Sequence, residues 1–369
     1  MDKGRELIEM YGHGLNVPRD ELSPLERDKL ISEGKPVDRI RACLDTGETM
    51  APLLGLSIDD YYHSSELMCD LEVYLYETFH SDGAGLSTTL RGMAEAMGSE
   101  IRYFDRNIAQ LKTPAITSLK RIEEARYVDV EKDGRLPIIL KALKMVQEKL
   151  GDKVPVSGTV TGPFTVAAMV LGTERLMMGL IKKPDAIKYL LEVIVENNNR
   201  YIRRLLDMGV GIGFADPVSS TSLISVEQYR EFSLPYFQKN VDFIKSHGGG
   251  CGLHICGTSR GLWEDLRDTG IGTFSLDNVE DISEAKAVLG DKMCLMGNVP
   301  PVDLLRNAGP KDILLSAREC IRKGFDSPCG YILTSGCQTP MGTPKENMTA
   351  LLDAARIFGR YPLDKTLLS

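Results

Sequence analysis

The chain has 369 residues, 43% of them hydrophobic and 26% charged, with a net charge of −8. At roughly 150 residues per domain two domains are allowed, but one α/β barrel routinely runs to about 250 residues with insertions beyond that. The acidic balance counts against nucleic acid or an anionic membrane as a partner, since both call for clustered positive charge, and no apolar run approaches a membrane span.

The predicted elements begin with a helical extension over residues 1–34, followed by an α/β segment over 35–369. Residues 1–10 are polar and charged, unlike a secretory leader, and eight cysteines in a chain of this length are no disulfide framework. The expected compartment is therefore the reducing cytoplasm. Two β-favouring runs fit near 39–44 and 82–87. A third, at 154–158, leads to Gly162-Pro163, which opens a helix. Pro184 starts the next helix, with Ile187, Leu190, Leu191, Ile194 and Val195 at helical spacing, and Gly209 stops it. A fourth run covers 210–216, and a helix over 229–247 breaks near Pro235. Runs at 252–256, 273–277, 294–298 and 331–337 follow, each flanked by helical sequence. Strands alternating with helices specify βαβ units and a parallel sheet. Eight such strands close a (β/α)8 TIM barrel, an α/β fold, behind the helical N-terminal extension.

In such a barrel the chemistry sits at the C-terminal ends of the strands. The residues there are Asp216, His254, Cys256, Asp277, Asn298 and Cys337, a polar set that packing alone would not select. Strand side chains alternate, so His254 and Cys256 share a face and Cys251 points away. Residues ending the fifth and eighth strands can converge across the mouth. Two thiolates and one imidazole are a donor set for catalytic zinc with an open fourth position. From spacing alone, buried cysteines acting as small hydrophobes and a strand-end histidine acting as a hydrogen-bonding group remain the commoner reading. Cys43, Cys69, Cys251, Cys294, Cys320 and Cys329 are read as core or surface thiols. Gly158 and Gly162 fit a turn or close helix–strand packing better than a phosphate loop. Asp216 is placed to orient His254, with Ser219, Ser220, Asp277 and Asn298 as supporting or substrate contacts. Capping of strand ends is the competing role for each.

The stretch Leu253-His254-Ile255-Cys256-Gly257, the run Gly297-Asn298-Val299-Pro300-Pro301, and Ser335-Gly336-Cys337 through Thr343-Pro344-Lys345-Glu346-Asn347 resemble the uroporphyrinogen decarboxylase superfamily. The resemblance is closer to its methyltransferase branch, the zinc-dependent corrinoid-protein:coenzyme M methyltransferases, and it spans about residues 34–360. It implies a (β/α)8 barrel and Zn²⁺ on His254, Cys256 and Cys337. The fourth zinc position stays open between substrate and Asp216, Asp277 or Glu280. The decarboxylase branch carries arginines on its first strand and an aspartate after its second. Here those stretches read Arg41-Ala42-Cys43-Leu44-Asp45-Thr46-Gly47 and Ser87-Thr88-Thr89, so an eight-carboxylate tetrapyrrole is disfavoured.

The activity implied is a methyltransferase moving a methyl group between a separate corrinoid protein, which carries the methylcobamide, and a zinc-activated small molecule, above all a thiol such as coenzyme M. Zinc holding two thiolates and a neutral imidazole carries no net charge, which keeps an added thiolate nucleophilic. The alternatives are demethylation of a methoxylated or methylated small molecule onto Co(I), decarboxylation of uroporphyrinogen, and a docking role without catalysis. The Asp-x-His-x-x-Gly signature of corrinoid domains is absent, since His13, His63, His80 and His247 do not fit it and His254 follows Gly252. The cobalt carrier is therefore expected to be another protein. No nucleic acid or membrane partner is expected, and a homo-oligomer is compatible with this reading.

Overall fold

The computed structural model describes residues 2–87 and 89–369. Eight strands make one all-parallel sheet: β1 (Arg41–Ala42), β2 (Ala84–Ser87), β3 (Val156–Thr161), β4 (Gly211–Ala215), β5 (Cys251–Ile255), β6 (Thr273–Leu276), β7 (Cys294–Val299) and β8 (Tyr331–Ser335). Their spatial order is β1-β8-β7-β6-β5-β4-β3-β2. The sheet curls into a (β/α)8 barrel with helices outside it, as the alternating pattern predicts. All eight predicted runs hold a strand. Some ends coincide and the others differ by one to three residues, because ladder pairing, and not local propensity, sets them.

The seam between β1 and β2 is closed by a side chain. Asp82 N–H donates to the Ala42 carbonyl at 3.0 Å, and Ala42 N–H donates to Asp82 Oδ2 at 2.8 Å. The same carboxylate accepts from Arg27 Nη1 (2.6 Å) and Arg39 Nη1 (2.6 Å). Arg27 lies on the helix Pro24–Ser32, whose capping box at Ser23 and Glu26 starts it where the sequence places a polar turn. Arg27 is wholly buried and also binds Asp38, at 2.7 Å through Nε. The first helix, Lys3–Met10, is tied to the far end of the chain by Arg318, which donates to Asp2 at 2.7 Å.

The long outer helix Pro184–Asp207 has proline in its first turn and buries Ile187, Leu190, Leu191, Ile194 and Val195. It ends before Gly209, whose φ of +68° suits glycine. A Cβ on Gly158 would stand 2.9 Å from Leu205 of that helix, so this glycine serves close strand–helix packing. The helix break falls at Ser233, between Val226–Phe232 and Leu234–Ser246, with Pro235 in the first turn of the second piece. An antiparallel hairpin, Glu100–Arg102 with Gln110–Thr113, sits in the β2–β3 connection and was not predicted. Its alternation is too short to register as a pattern. No single helix among the described residues is long and apolar enough to cross a membrane.

Candidate metal centre

His254 is the next-to-last residue of β5 and lies in register with Ser275 of β6. The imidazole Nδ1 is 3.2 Å from the Ser275 carbonyl oxygen and 3.1 Å from Ser275 Oγ. A carbonyl only accepts, so the Ser275 carbonyl favours a proton on Nδ1, which in the neutral ring leaves the Nε2 lone pair on the side of the thiols. Cys256 follows the strand directly. Gly257 turns the chain there at φ +76°, and its N–H donates to Asp277 Oδ2 at 2.7 Å. Cys337 lies two residues past β8. Ser335 Oγ donates to its carbonyl at 2.7 Å, and Gly336 N–H donates to Val299 O at 2.8 Å. Any side chain on Gly336 would collide with the Asn278 backbone, which holds this loop against the β6 loop.

These supports bring three donors together. Nε2 of His254 is 3.1 Å from Cys256 Sγ, and Cys256 Sγ is 3.7 Å from Cys337 Sγ. All three ligand atoms lie within 4.8 Å of one another, and no other described His, Cys, Asp or Glu joins them in such a group. The three residues are partly buried, at the mouth of the barrel. The three groups perturb one another. Its hydrogen bond with Cys256 pulls the Cys337 thiol down to about 4, with His254 adding to the effect. The same hydrogen bond, and burial after it, push Cys256 up. Burial drives His254 toward its neutral form, but the hydrogen bond and charge of Cys337 outweigh this and raise it overall.

The donor set fits zinc. Two sulfurs bound at about 2.3 Å with a tetrahedral angle stand roughly 3.8 Å apart, and the observed separation is 3.7 Å. The Ser275-held imidazole presents the neutral nitrogen that a metal requires. Three protein ligands are the number found in catalytic zinc sites.

The remaining predicted residues are placed differently. Asp216 does not orient His254. It is fully buried beneath the β4 loop and accepts from Thr165 N–H (3.0 Å), Thr165 Oγ1 (2.6 Å) and Ser219 Oγ (2.7 Å). Burial raises its carboxyl, with those donors opposing. Ser219 Oγ in turn meets Ser233 Oγ at 2.7 Å, so this pair fastens the β4 loop to the helix break. A Cβ on Gly162 would collide with the Asp216 carboxyl, which accounts for that glycine. Ser220 Oγ donates to Thr258 O at 3.0 Å. Asp277 caps the turns of Gly257 and Val279 (3.1 Å), and Asn298 donates to the carbonyls of Asp277 (3.0 Å) and Glu280 (2.7 Å). Glu280 accepts from Ser259 and Arg260 N–H groups. These four residues brace the loops around the thiols. Thr88, in the stretch set against the decarboxylase aspartate, lies outside the described residues.

Two residues near the donors went unread in the sequence. Ser275 sits mid-strand, where only the β5–β6 register reveals it. Asp45, in the loop after β1, is partly buried and its carboxyl is pushed up to about 6 by that burial, with His254 pulling down and Cys337 pushing up. No periodicity marks a loop aspartate.

The uroporphyrinogen decarboxylase (URO-D) family model matches residues 26–358. The methylcobamide:CoM methyltransferase MtaA of Methanosarcina barkeri is 32% identical over 333 residues, covering 87% of this chain and 94% of that protein. The methylated-thiol–coenzyme M methyltransferase of Methanosarcina mazei is 28% identical, covering 91% of this chain and 90% of its own. A solved methyltransferase from Methanosarcina mazei superposes with a TM-score of 0.81 at 28% identity, covering 91% of this chain and 98% of that one. The chain belongs to the uroporphyrinogen decarboxylase (URO-D) family, and within it its likeness is to the methylcobamide:CoM methyltransferases.

Proposed function

We propose that this chain is a zinc-dependent methyltransferase of the cytoplasm that moves a methyl group between a methylcobamide on a separate corrinoid protein and a small thiol of the coenzyme M kind. The observation that carries the reading is the convergence of His254, Cys256 and Cys337 at the barrel mouth. The coenzyme M methyltransferases among its relatives support the substrate class. His254, Cys256 and Cys337 would hold the zinc. Zinc bound there would keep an incoming thiol deprotonated, while two protein thiolates keep that sulfur electron-rich.

The chain's own residues do the rest. Ser275 holds the imidazole in the tautomer that offers Nε2. Gly257, Asp277 and Asn298 fix the loop that carries Cys256 relative to the β6 and β7 ends. The Asp216–Ser219–Ser233 link keeps the neighbouring β4 loop in place. This rigidity is what methyl transfer needs, since donor, methyl carbon and sulfur must line up. The loop after β1 puts Asp45 and the buried Glu48 near the mouth, where a polycarboxylate tetrapyrrole would require positive charge.

The test is metal content joined to transfer. Purified protein should carry about one zinc per chain, and Cys256→Ser and Cys337→Ser should each lose it. Transfer of methyl from free methylcobalamin to 2-mercaptoethanesulfonate should stop on chelation and return with zinc. Full zinc content in both variants, or transfer indifferent to chelation, overturns the reading.

A further inference from the structure

One cation at the mouth lacks a counter-charge. Arg91 comes four residues after Ser87, the last residue of β2. All barrel strands are parallel, so it stands at the same end as Cys256 and Cys337. The turn that carries it is anchored to β3, because Thr161 Oγ1 donates to Thr89 O at 3.0 Å. Thr89 itself holds φ +54°, a conformation rare for a β-branched residue. The Arg91 side chain is partly buried, its Nε is wholly buried without a hydrogen-bond partner, and no described carboxylate pairs with it. Its charge acts on the buried Tyr62 phenol, which also feels Glu48. Glu48 accepts from Gln338, the neighbour of Cys337, at 3.2 Å.

The other cations beside the strand ends are engaged or fully in solvent. Arg260 pairs with Glu284 at 2.6 Å, Lys345 donates to Tyr74, and Arg306 is exposed. A buried guanidinium nitrogen without a partner is costly unless a ligand completes it, and the planar fork matches a sulfonate or carboxylate. We infer that Arg91 holds the anionic tail of the small thiol substrate, so that the sulfur points to His254, Cys256 and Cys337. This inference rests on the methyl-transfer reading above.

The test compares two thiols on the zinc-loaded protein, the anionic 2-mercaptoethanesulfonate and the neutral 2-mercaptoethanol, by calorimetry. The affinity ratio of anionic to neutral thiol should fall about tenfold or more in Arg91→Gln and recover in part in Arg91→Lys. An unchanged ratio overturns the anchor. Ethanesulfonate, which has no thiol, separates the two claims and also works on the unaltered protein. If it competes with the anionic thiol but not the neutral one, and binds wild type but not Arg91→Gln, the anchor stands even where no methyl moves to any thiol. If methyl moves but ethanesulfonate never binds, the methyl-transfer reading stands and the anchor falls.

Discussion

Cys256 Sγ and Cys337 Sγ lie 3.7 Å apart although 81 positions separate them in the chain. Closure of the barrel brings the β5 and β8 ends together, Gly257 turns the chain sharply after Cys256, and Gly336 lets the Cys337 loop pack closely on Asn278. This pair, its supports and the buried charges elsewhere in the barrel lead to four expectations.

Ser275→Ala removes one of the two oxygens facing His254 Nδ1 and leaves the backbone carbonyl at 3.2 Å. Zinc affinity should fall by about tenfold, the lower end of the range for groups that orient a ligand. Asp216→Asn should leave zinc affinity unchanged while costing about 1–3 kcal/mol of stability through its buried network. Competition with a chromophoric chelator and urea unfolding read the two quantities.

Zinc uptake should release protons and strengthen as pH rises. The bond with Cys256 lowers the Cys337 thiol to about 4, whereas Cys256 is raised and must lose its proton to bind. His254 is raised as well and must be neutral to donate its lone pair. At pH 7 about one proton or more should appear per zinc bound, Cys256 being its first source. Calorimetry in buffers of different ionisation enthalpy measures this number, and release of none would contradict the assignment.

Arg27→Met should cost about 3–5 kcal/mol, because it leaves the buried Asp38 carboxylate without its cation and Asp82 with Arg39 alone. Arg27 contacts them at 2.7 and 2.6 Å. Burial would raise Asp38, but its hydrogen bond and ion pair with Arg27 hold it at about 2. A depressed carboxyl stabilises the fold above its unfolded value and loses that contribution as pH falls toward 2. The stability gap between wild type and Asp38→Asn should therefore be full at pH 6 and shrink below about pH 4, as followed by denaturant titration.

Glu72 runs the other way. Burial raises its carboxyl to about 7, against a hydrogen bond from Gly85 N–H, and its Oε1 has no partner. A raised carboxyl stabilises most below its unfolded value and costs stability as pH climbs through the folded one. Between about pH 4 and 7 wild type should lose stability relative to Glu72→Gln. Melting temperatures across that window check it, and parallel curves would refute it.

The chain's own pattern determined the eight strands, the helix from Pro184 and the shared face of His254 and Cys256. Each follows from periodicity or from a proline or glycine at a boundary, which are properties of neighbouring residues. Tertiary structure alone decided the rest. Ser275 reaches His254 through the register of β5 on β6. Asp82 closes the β1–β2 seam with a side chain that no strand pattern announces. Asp216, at a strand end that suggested a partner for His254, turned instead to Thr165 and Ser219 because those donors are nearer in the folded loop. Which strand-end residues meet depends on how a closed sheet rotates each strand against the next, and distances across a barrel mouth are set by that closure and not by spacing along the chain.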